Sequence, residues 1–343
     1  MEKYTNYKSK LSLLSDSEIK QIISSINKKT LKRKTWGLTT VHQIKGTTEK
    51  VFIKTIPIAQ LFWLNSFDTS NLYNLPAYYN FGFGSAGINP WRELIMHIIT
   101  TDFVLAQKCD FFPMLYHYRI IKDDNNDNIE SGLSDKLMER WENNKNIKKY
   151  LSDRIKSKYK IVLFLEHIEN VAYKYLETHN DFIDNFYKQT FNIIKFCKKH
   201  GISHNDAHLG NYLIDDNKKV YITDFGLVLY NKFNLKSDEI KFMKNNVELD
   251  KTYAMDNVIS DYVNKCYYNK LISKKYKLEN YPTSVELYDY LIDNIDIIKN
   301  DLSLSKFQIN FIKKNKNLII KYIKWKRGFK NAKDKQNYKF SYQ

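Results

Sequence analysis

The run His204-Asn205-Asp206-Ala207-His208-Leu209-Gly210-Asn211 constrains this chain more than any other, because Asp224-Phe225-Gly226 follows 18 positions after Asp206. The interval holds two apolar, strand-like runs, 211–214 and 220–223, joined by the polar turn Asp215-Asp216-Asn217-Lys218. Such a pattern predicts a hairpin. A hairpin of that length returns to where it began and brings Asp206 and Asn211 back to Asp224. The fold must then present two carboxylates and one amide to a single point, a set of hard oxygen donors that suits magnesium and phosphate. The bland alternative is a polar hairpin with a chance Asp-Phe-Gly. The order and spacing of both pieces on predicted strands weigh against it.

Phosphoryl transfer asks a protein mainly to position reactants and neutralise charge. Asp206 is expected to orient an attacking hydroxyl and take its proton, Asp224 to hold magnesium, and Asn211 to complete a second magnesium site. Asp206 and Asn211 stand in the D-x-x-x-x-N relation of a kinase catalytic loop. With these residues the chain resembles the eukaryotic-type protein kinase superfamily, in a divergent branch, over about residues 35 to 265. The resemblance implies an α+β, bilobal protein-kinase-like fold, with a small β-rich N-lobe and a mainly helical C-lobe, and ATP and Mg2+ as cofactors. It divides the chain into an N-terminal helical extension (1–34), an N-lobe (35–168) with insertions at 57–88 and 122–160, a C-lobe (169–312) and a basic C-terminal tail (313–343).

The N-lobe residues follow one by one. Val51-Phe52-Ile53-Lys54 resembles V-A-I-K and closes a predicted hairpin, so Lys54 is expected to meet the α- and β-phosphates. A solvated strand lysine is the plain alternative. Asn89 suits an N-cap and Pro90 the first position of the next long helix. Glu93, the acidic residue early in that helix, is expected to pair with Lys54, although the helix dipole alone would also favour it there; Asp102 is the weaker alternative. Before Lys54, where a glycine-rich phosphate loop belongs, Gly37 is the one suitable glycine. A literal G-x-G-x-x-G comes after the lysine instead, as Gly82-Phe83-Gly84-Ser85-Ala86-Gly87. Asn80-Phe81 is a poor strand and no parallel alternation follows, which excludes a dinucleotide fingerprint. Two readings stay open: a mobile lead into the helix that lets Glu93 swing, or backbone amides that help cover phosphates. The order from Asn80 to Glu93 also resembles Ser/Thr protein kinases of large DNA viruses. The aromatic stretch from Leu61 to Tyr79 reads as packing.

The run 161–165 is a short buried strand by composition. Leu165 takes the gatekeeper place, and Glu166-His167-Ile168 resembles the hinge where adenine meets backbone groups. Residues 122–160 read as a solvated insertion with a helix around 133–150. Phe182, Ile183, Phe186, Phe191, Ile194 and Phe196 predict a core helix that stops at Gly201. His204 is expected to organise the catalytic loop from a buried position. Asn205 stands where the family has an arginine that receives a phosphorylated segment, which argues against that mode of control. His208 replaces a lysine and is a candidate donor to the γ-phosphate, or else a hydrogen-bonded loop histidine; its charge would titrate near neutrality. No A-P-E triplet follows, and Asp256 is expected to begin the helix that anchors the catalytic loop.

The net charge of +17 bears on partners. From Lys313 to Gln343 there are eleven Lys or Arg against Asp334, with aromatic residues between them. This tail suits nucleic acid, anionic membrane or an acidic protein substrate, or is simply a solvated helix plus a disordered tail. Three scattered cysteines fit a reducing compartment. With no apolar signal core and no transmembrane segment, the expected place is cytoplasmic, and for a viral protein the host cytoplasm or virion. The expected function is ATP-dependent phosphorylation of Ser/Thr hydroxyls in proteins. The alternatives are a small-molecule kinase, since H-N-D-x-H-x-G-N is similar to choline-kinase-like and antibiotic-phosphorylating enzymes, and a pseudokinase scaffold with a basic binding tail.

Overall fold

Two helices, α1 (Glu2–Ser12) and α2 (Asp16–Thr30), lead into a small sheet in the computed structural model, which describes residues 2–30, 39–82, 84–122, 135–281, 284–302, 304–332 and 335. A reciprocal cap starts α2: Glu18 N donates to Ser15 Oγ (3.2 Å) and Ser15 N to Glu18 Oε2 (2.8 Å). It satisfies two amides that a helix start leaves bare. Strands β1 (Thr39–Gln43), β2 (Lys50–Ile58), β3 (Leu115–Lys122) and β4 (Tyr159–Glu166) form an antiparallel sheet of order β1-β2-β4-β3. Strand side chains alternate faces. Val51, Ile53, Val162 and Phe164 therefore meet Tyr7 and Leu11 of α1 and Ile19 and Ile23 of α2. Phe52, Ile56, Leu163 and Leu165 join the main core. Lys54 lies on this second face, and the N-terminal helices are thus built into the lobe.

Between β2 and β3 come α3 (Gln60–Leu64), a 3-10 turn (Ala77–Phe81) and α4 (Pro90–Leu105). Between β3 and β4 come α5 (Asp135–Arg140) and α6 (Lys145–Ile155). This second insertion is not solvated as its Asp, Asn and Lys content suggests. Met138, Trp141, Ile147, Tyr150 and Leu151 are buried, because apolar residues at helical spacing gather on one face while the charged ones occupy the other. The single helix expected around 133–150 is two, parted where Glu142 and Asn143 take positive φ; its expected start lies outside the described residues. Tyr150 meets Phe62 and Tyr73 of the first insertion, at 6.1 and 5.1 Å between ring centres. The two insertions therefore share one aromatic cluster.

The second lobe follows with β5 (Asn170–Val171), α7 (Ala172–Thr178), α8 (Ile183–Lys199), β6 (Ile202–Ser203), β7 (Tyr212–Ile214), β8 (Val220–Ile222) and β9 (Leu229–Tyr230). After these come α9 (Ser237–Asn245), α10 (Leu249–Tyr268), α11 (Lys270–Lys275), α12 (Ser284–Asp293), α13 (Ile295–Ile298) and α14 (Lys306–Asn331). A small antiparallel sheet with a helical remainder makes this a bilobal, kinase-like α+β fold. The expected basic tail needs correction. Residues 313–331 belong to α14, whose Ile312, Ile319, Tyr322, Trp325 and Phe329 are buried. Three of its lysines pair with aspartates: Lys316 with Asp289 (2.8 Å), Lys326 with Asp256 (2.8 Å), and Lys313 with Asp296. Residues 336–343 of that tail lie outside the described residues, as does Gly37. Among the described residues no helix is long and apolar enough to cross a membrane.

Candidate active site

The first half of the site is set by the start of α4. Asn89 Oδ1 accepts from Trp91 N at 2.8 Å and Pro90 occupies the first helical position, so the cap is local chemistry. One turn in, Glu93 is buried and its Oε1 lies 2.6 Å from Lys54 Nζ. The same ammonium lies 2.9 Å from Asp224 Oδ1. Lys54 thus bridges two carboxylates, and the partner on α4 is Glu93 rather than Asp102. Burial alone would favour a neutral lysine, but the charges of Asp224 and Glu93 overcome it and hold Lys54 protonated. Withdrawal from water would likewise raise Asp224. The Lys54 charge and hydrogen bond, with the amide of Gly226, override it and hold that carboxyl well below the usual range.

The second half is the loop before β7. His204 N and Asn205 N donate to the two carboxylate oxygens of Asp250, each at 2.7 Å. The anchor expected at Asp256 is therefore Asp250, in the first turn of α10; Asp256 pairs with Lys326 instead. His204 is buried, with Nε2 3.0 Å from Thr223 O and Nδ1 accepting from Asp206 N at 3.3 Å. Those bonds require the neutral ring with its proton on Nε2, and burial lowers its pKa in the same sense. Asn205, at φ 63°, donates from Nδ2 to Leu227 O (2.9 Å) and so ties the loop to the segment after Gly226.

The hairpin of β7 and β8 pairs Tyr212 with Ile222, and Thr223 N donates to Asn211 O at 3.0 Å. It returns Asp224 to the loop as the sequence spacing requires. Asn211 Nδ2 donates to Asp206 O (2.9 Å) and to Asp206 Oδ2 (3.1 Å). Withdrawal from water and the charge of Asp224 push the Asp206 carboxyl up to about 7, against the Asn211 hydrogen bond and the Lys54 charge. His208 Nδ1 accepts from Gly210 N (3.0 Å), and Nε2 lies 3.7 Å from Asp206 Oδ2. Loss of water contact lowers the His208 pKa; Asp224 opposes the shift and Lys326 reinforces it. At the lobe junction Leu165 is buried at the end of β4, opposite Phe52 and Leu115. Glu166 donates from N to Met114 O (2.7 Å) and accepts from Met114 N at Oε2 (3.2 Å), and Ile168 follows, half-buried.

The glycine motif is held at several points. Tyr253 Oη donates to Phe81 O, Tyr150 Oη to Gly87 O (3.0 Å), and Ile88 N to Gly226 O (3.0 Å). Ser85 Oγ donates to Tyr79 O (2.6 Å) and Ala86 N to Tyr79 Oη (3.0 Å). The segment is a fastened strap rather than a free lead into α4, and two of its amides are already used inside the protein. Gly82 lies against Asp206: a Cβ built on it would meet Asp206 Oδ1 at 2.9 Å and Asn205 O at 3.1 Å. Sequence reasoning missed this contact, the Asp250 anchor and a buried Arg92–Glu239 pair. The glycine itself was the one local signal in the sequence for the first.

The donor set fits magnesium and nucleotide phosphate. Asp224 and Asn211 supply a carboxylate and an amide oxygen, and Lys54 supplies a fixed cation beside them. Among the described residues no three His, Cys, Asp or Glu side chains converge on a metal position.

A kinase-like fold thus brings a lysine, an amide and two carboxylates together. No known protein-family model matches the chain. Short stretches are similar to curated protein kinases: 32% identity over 77 residues with a carbon catabolite-derepressing protein kinase of Candida glabrata, covering 21% of this chain and 13% of that protein. A NUAK family SNF1-like kinase 1 of Mus musculus is 34% identical over 83 residues, 22% of this chain and 13% of that protein. The carbon catabolite-derepressing protein kinase of Saccharomyces cerevisiae is 31% identical over 77 residues, 21% and 12% of the two chains. The match therefore spans about an eighth of the length of these relatives.

Proposed function

We propose that the chain is an ATP- and magnesium-dependent phosphotransferase that moves the γ-phosphoryl group to a Ser or Thr hydroxyl of a protein. One observation carries this: Lys54 is held between Glu93 and Asp224, and the charges of Asp224 and Lys54 reach Asp206, which Asn211 holds by a hydrogen bond. When bound, magnesium-ATP supplies the phosphoryl group and the leaving group. Lys54 meets phosphate oxygens with a fixed ammonium. Asp224 and Asn211 would hold magnesium, and Leu165, Glu166 and Ile168 would border the base. Asp206 takes the proton of the acceptor hydroxyl as its oxygen bonds the γ-phosphorus and the bond to the bridging oxygen breaks. A carboxyl near neutrality suits that task. His208, with its proton on Nε2, suits donation to an anionic oxygen on the same side. The short matches are to protein kinases, which supports a protein acceptor.

The second reading is a small-molecule acceptor, favoured by the similarity of the residues from His204 to Asn211 to choline-kinase-like and antibiotic-phosphorylating enzymes. An acidic protein substrate fits the net charge of +17. Binding of nucleic acid or anionic membrane is less favoured, because several cations of α14 are paired with aspartates. The three cysteines are free, which fits a cytoplasmic setting. The test incubates the protein with magnesium, γ-labelled ATP and acidic or basic protein acceptors. Label should pass to protein, and Asp206→Asn or Asp224→Asn should lower transfer by roughly 10²–10⁴-fold. Label on small amines or alcohols alone would move the acceptor to the second reading. Neither nucleotide binding nor transfer would leave a scaffold.

A further inference from the structure

The two oxygens of Asp206 are not equivalent. Oδ2 receives Asn211 Nδ2 and faces His208. Among the described residues no donor reaches Oδ1, and this oxygen faces Gly82. A hydroxyl that gives its proton to Oδ1 must approach to about 2.7 Å. A methyl group on residue 82 would stand 2.9 Å from the same atom. The acceptor and a side chain at 82 would therefore compete for one shell around Oδ1.

We propose that Gly82 is the specificity-determining wall of the acceptor site, and that its bare Cα admits a hydroxyl on an unbranched carbon, a serine side chain, in preference to a branched one. The inference rests on the phosphotransfer reading above. The wall is rigid. Its flanks are fixed by the Tyr253 bond to Phe81 O and, beyond Gly84, by the Ile88 bond to Gly226 O. Leu227 closes the far side, 3.5 Å from where a Cβ of residue 82 would lie. Threonine carries its extra methyl beside the hydroxyl, where it meets the same wall.

Gly82 also has φ 70°, so any L-residue there is strained whatever the space. Gly46 separates strain from contact: its φ is 72°, and nothing lies within 4 Å of a Cβ built on it. The experiment compares wild type, Gly82→Ala and Gly46→Ala on paired peptides that differ only in Ser or Thr. It also measures the Kd of a non-hydrolysable ATP analogue with magnesium. Wild type should prefer serine by roughly tenfold or more in kcat/KM. Gly82→Ala should lose acceptor kcat/KM by on the order of 10²-fold while analogue affinity stays unchanged; Gly46→Ala should match wild type in both. Equal turnover of serine and threonine by wild type overturns the proposal, and this holds even where Gly82→Ala does not fold. So does a Gly82→Ala enzyme that retains transfer, that loses analogue binding in step, or that falls no further than Gly46→Ala. In these three cases wild-type transfer still stands. A wild type without any transfer overturns both the wall and the function beneath it.

Discussion

His97 lies one turn beyond Glu93 on α4, fully buried, and among the described residues neither ring nitrogen has a hydrogen-bond partner. Its ring stands edge-on to Phe225 with 4.8 Å between centres, and Phe225 meets His204 at 5.6 Å. A buried imidazole without partners resists protonation. Burial, then the Lys54 charge, push its pKa from 6.5 down to about 3; Asp224 opposes them and His204 adds a little. The folded state then binds fewer protons than the unfolded one between these values. Stability from this residue is complete above pH 6.5 and is lost progressively as pH falls toward 3. Between pH 7 and pH 5 the loss should be about 2 kcal/mol. His97→Leu keeps an apolar neighbour for Phe225 and removes the titration, so its denaturation midpoint should fall less over that interval. Parallel decline in both proteins would remove His97 as the cause.

At the scale of elements, α4 is held from two sides. Glu93 faces Lys54, and the preceding Arg92 forks onto Glu239 of α9, at 2.6 and 3.1 Å, with both side chains 1% exposed. Arg92 Nε also donates to Thr69 O (2.6 Å), and Asn234 N to Thr69 Oγ1 (2.8 Å). The first insertion thus stitches α4 to the segment that follows Asp224-Phe225-Gly226. Removing one partner of a buried pair leaves the other charge unpaired, at about 3–5 kcal/mol. Arg92→Ala and Glu239→Ala should each show this loss in urea unfolding. Arg92→Met with Glu239→Leu should recover most of it, since apolar replacement of a whole buried pair is often neutral. Two single variants within about 0.5 kcal/mol of wild type would contradict a locked α4.

These elements also show what the sequence makes legible. The Asn89-Pro90 start of α4 and the hairpin between Asn211 and Asp224 were readable because caps and turns are local chemistry. The Lys54–Glu93 pair was readable from order along the chain. Arg92 and Glu239 are 147 positions apart, and only the topology brings them together. The polar run before Asp250 masks the start of α10, so the sequence points to Asp256 instead. Lysine content hid the buried stripe of α14 in the same way that Asp and Asn hid α6.

On the scale of the whole molecule, the C-terminal helix reaches the site through Phe81. Trp325 and Phe329 of α14 pack on that ring at 4.7 and 5.0 Å, and Phe242 of α9 packs on it at 4.7 Å. The next residue is Gly82, the wall beside Asp206. A basic helix with a buried aromatic stripe therefore supports the strap from behind, and its Lys316, Lys313 and Lys326 are turned to acidic partners on α12, α13 and α10. Trp325→Ala would open a cavity under Phe81 at a cost of roughly 3–5 kcal/mol. Its effect should not be confined to stability. At a temperature where the variant is fully folded, acceptor kcat/KM should fall while the Kd of a magnesium-bound ATP analogue stays near wild type, because the strap moves and the Lys54–Glu93–Asp224 net does not. A variant that is less stable yet transfers phosphate at the wild-type rate would show that the strap holds its place without α14, fastened by Tyr253, Tyr150 and Gly226 alone.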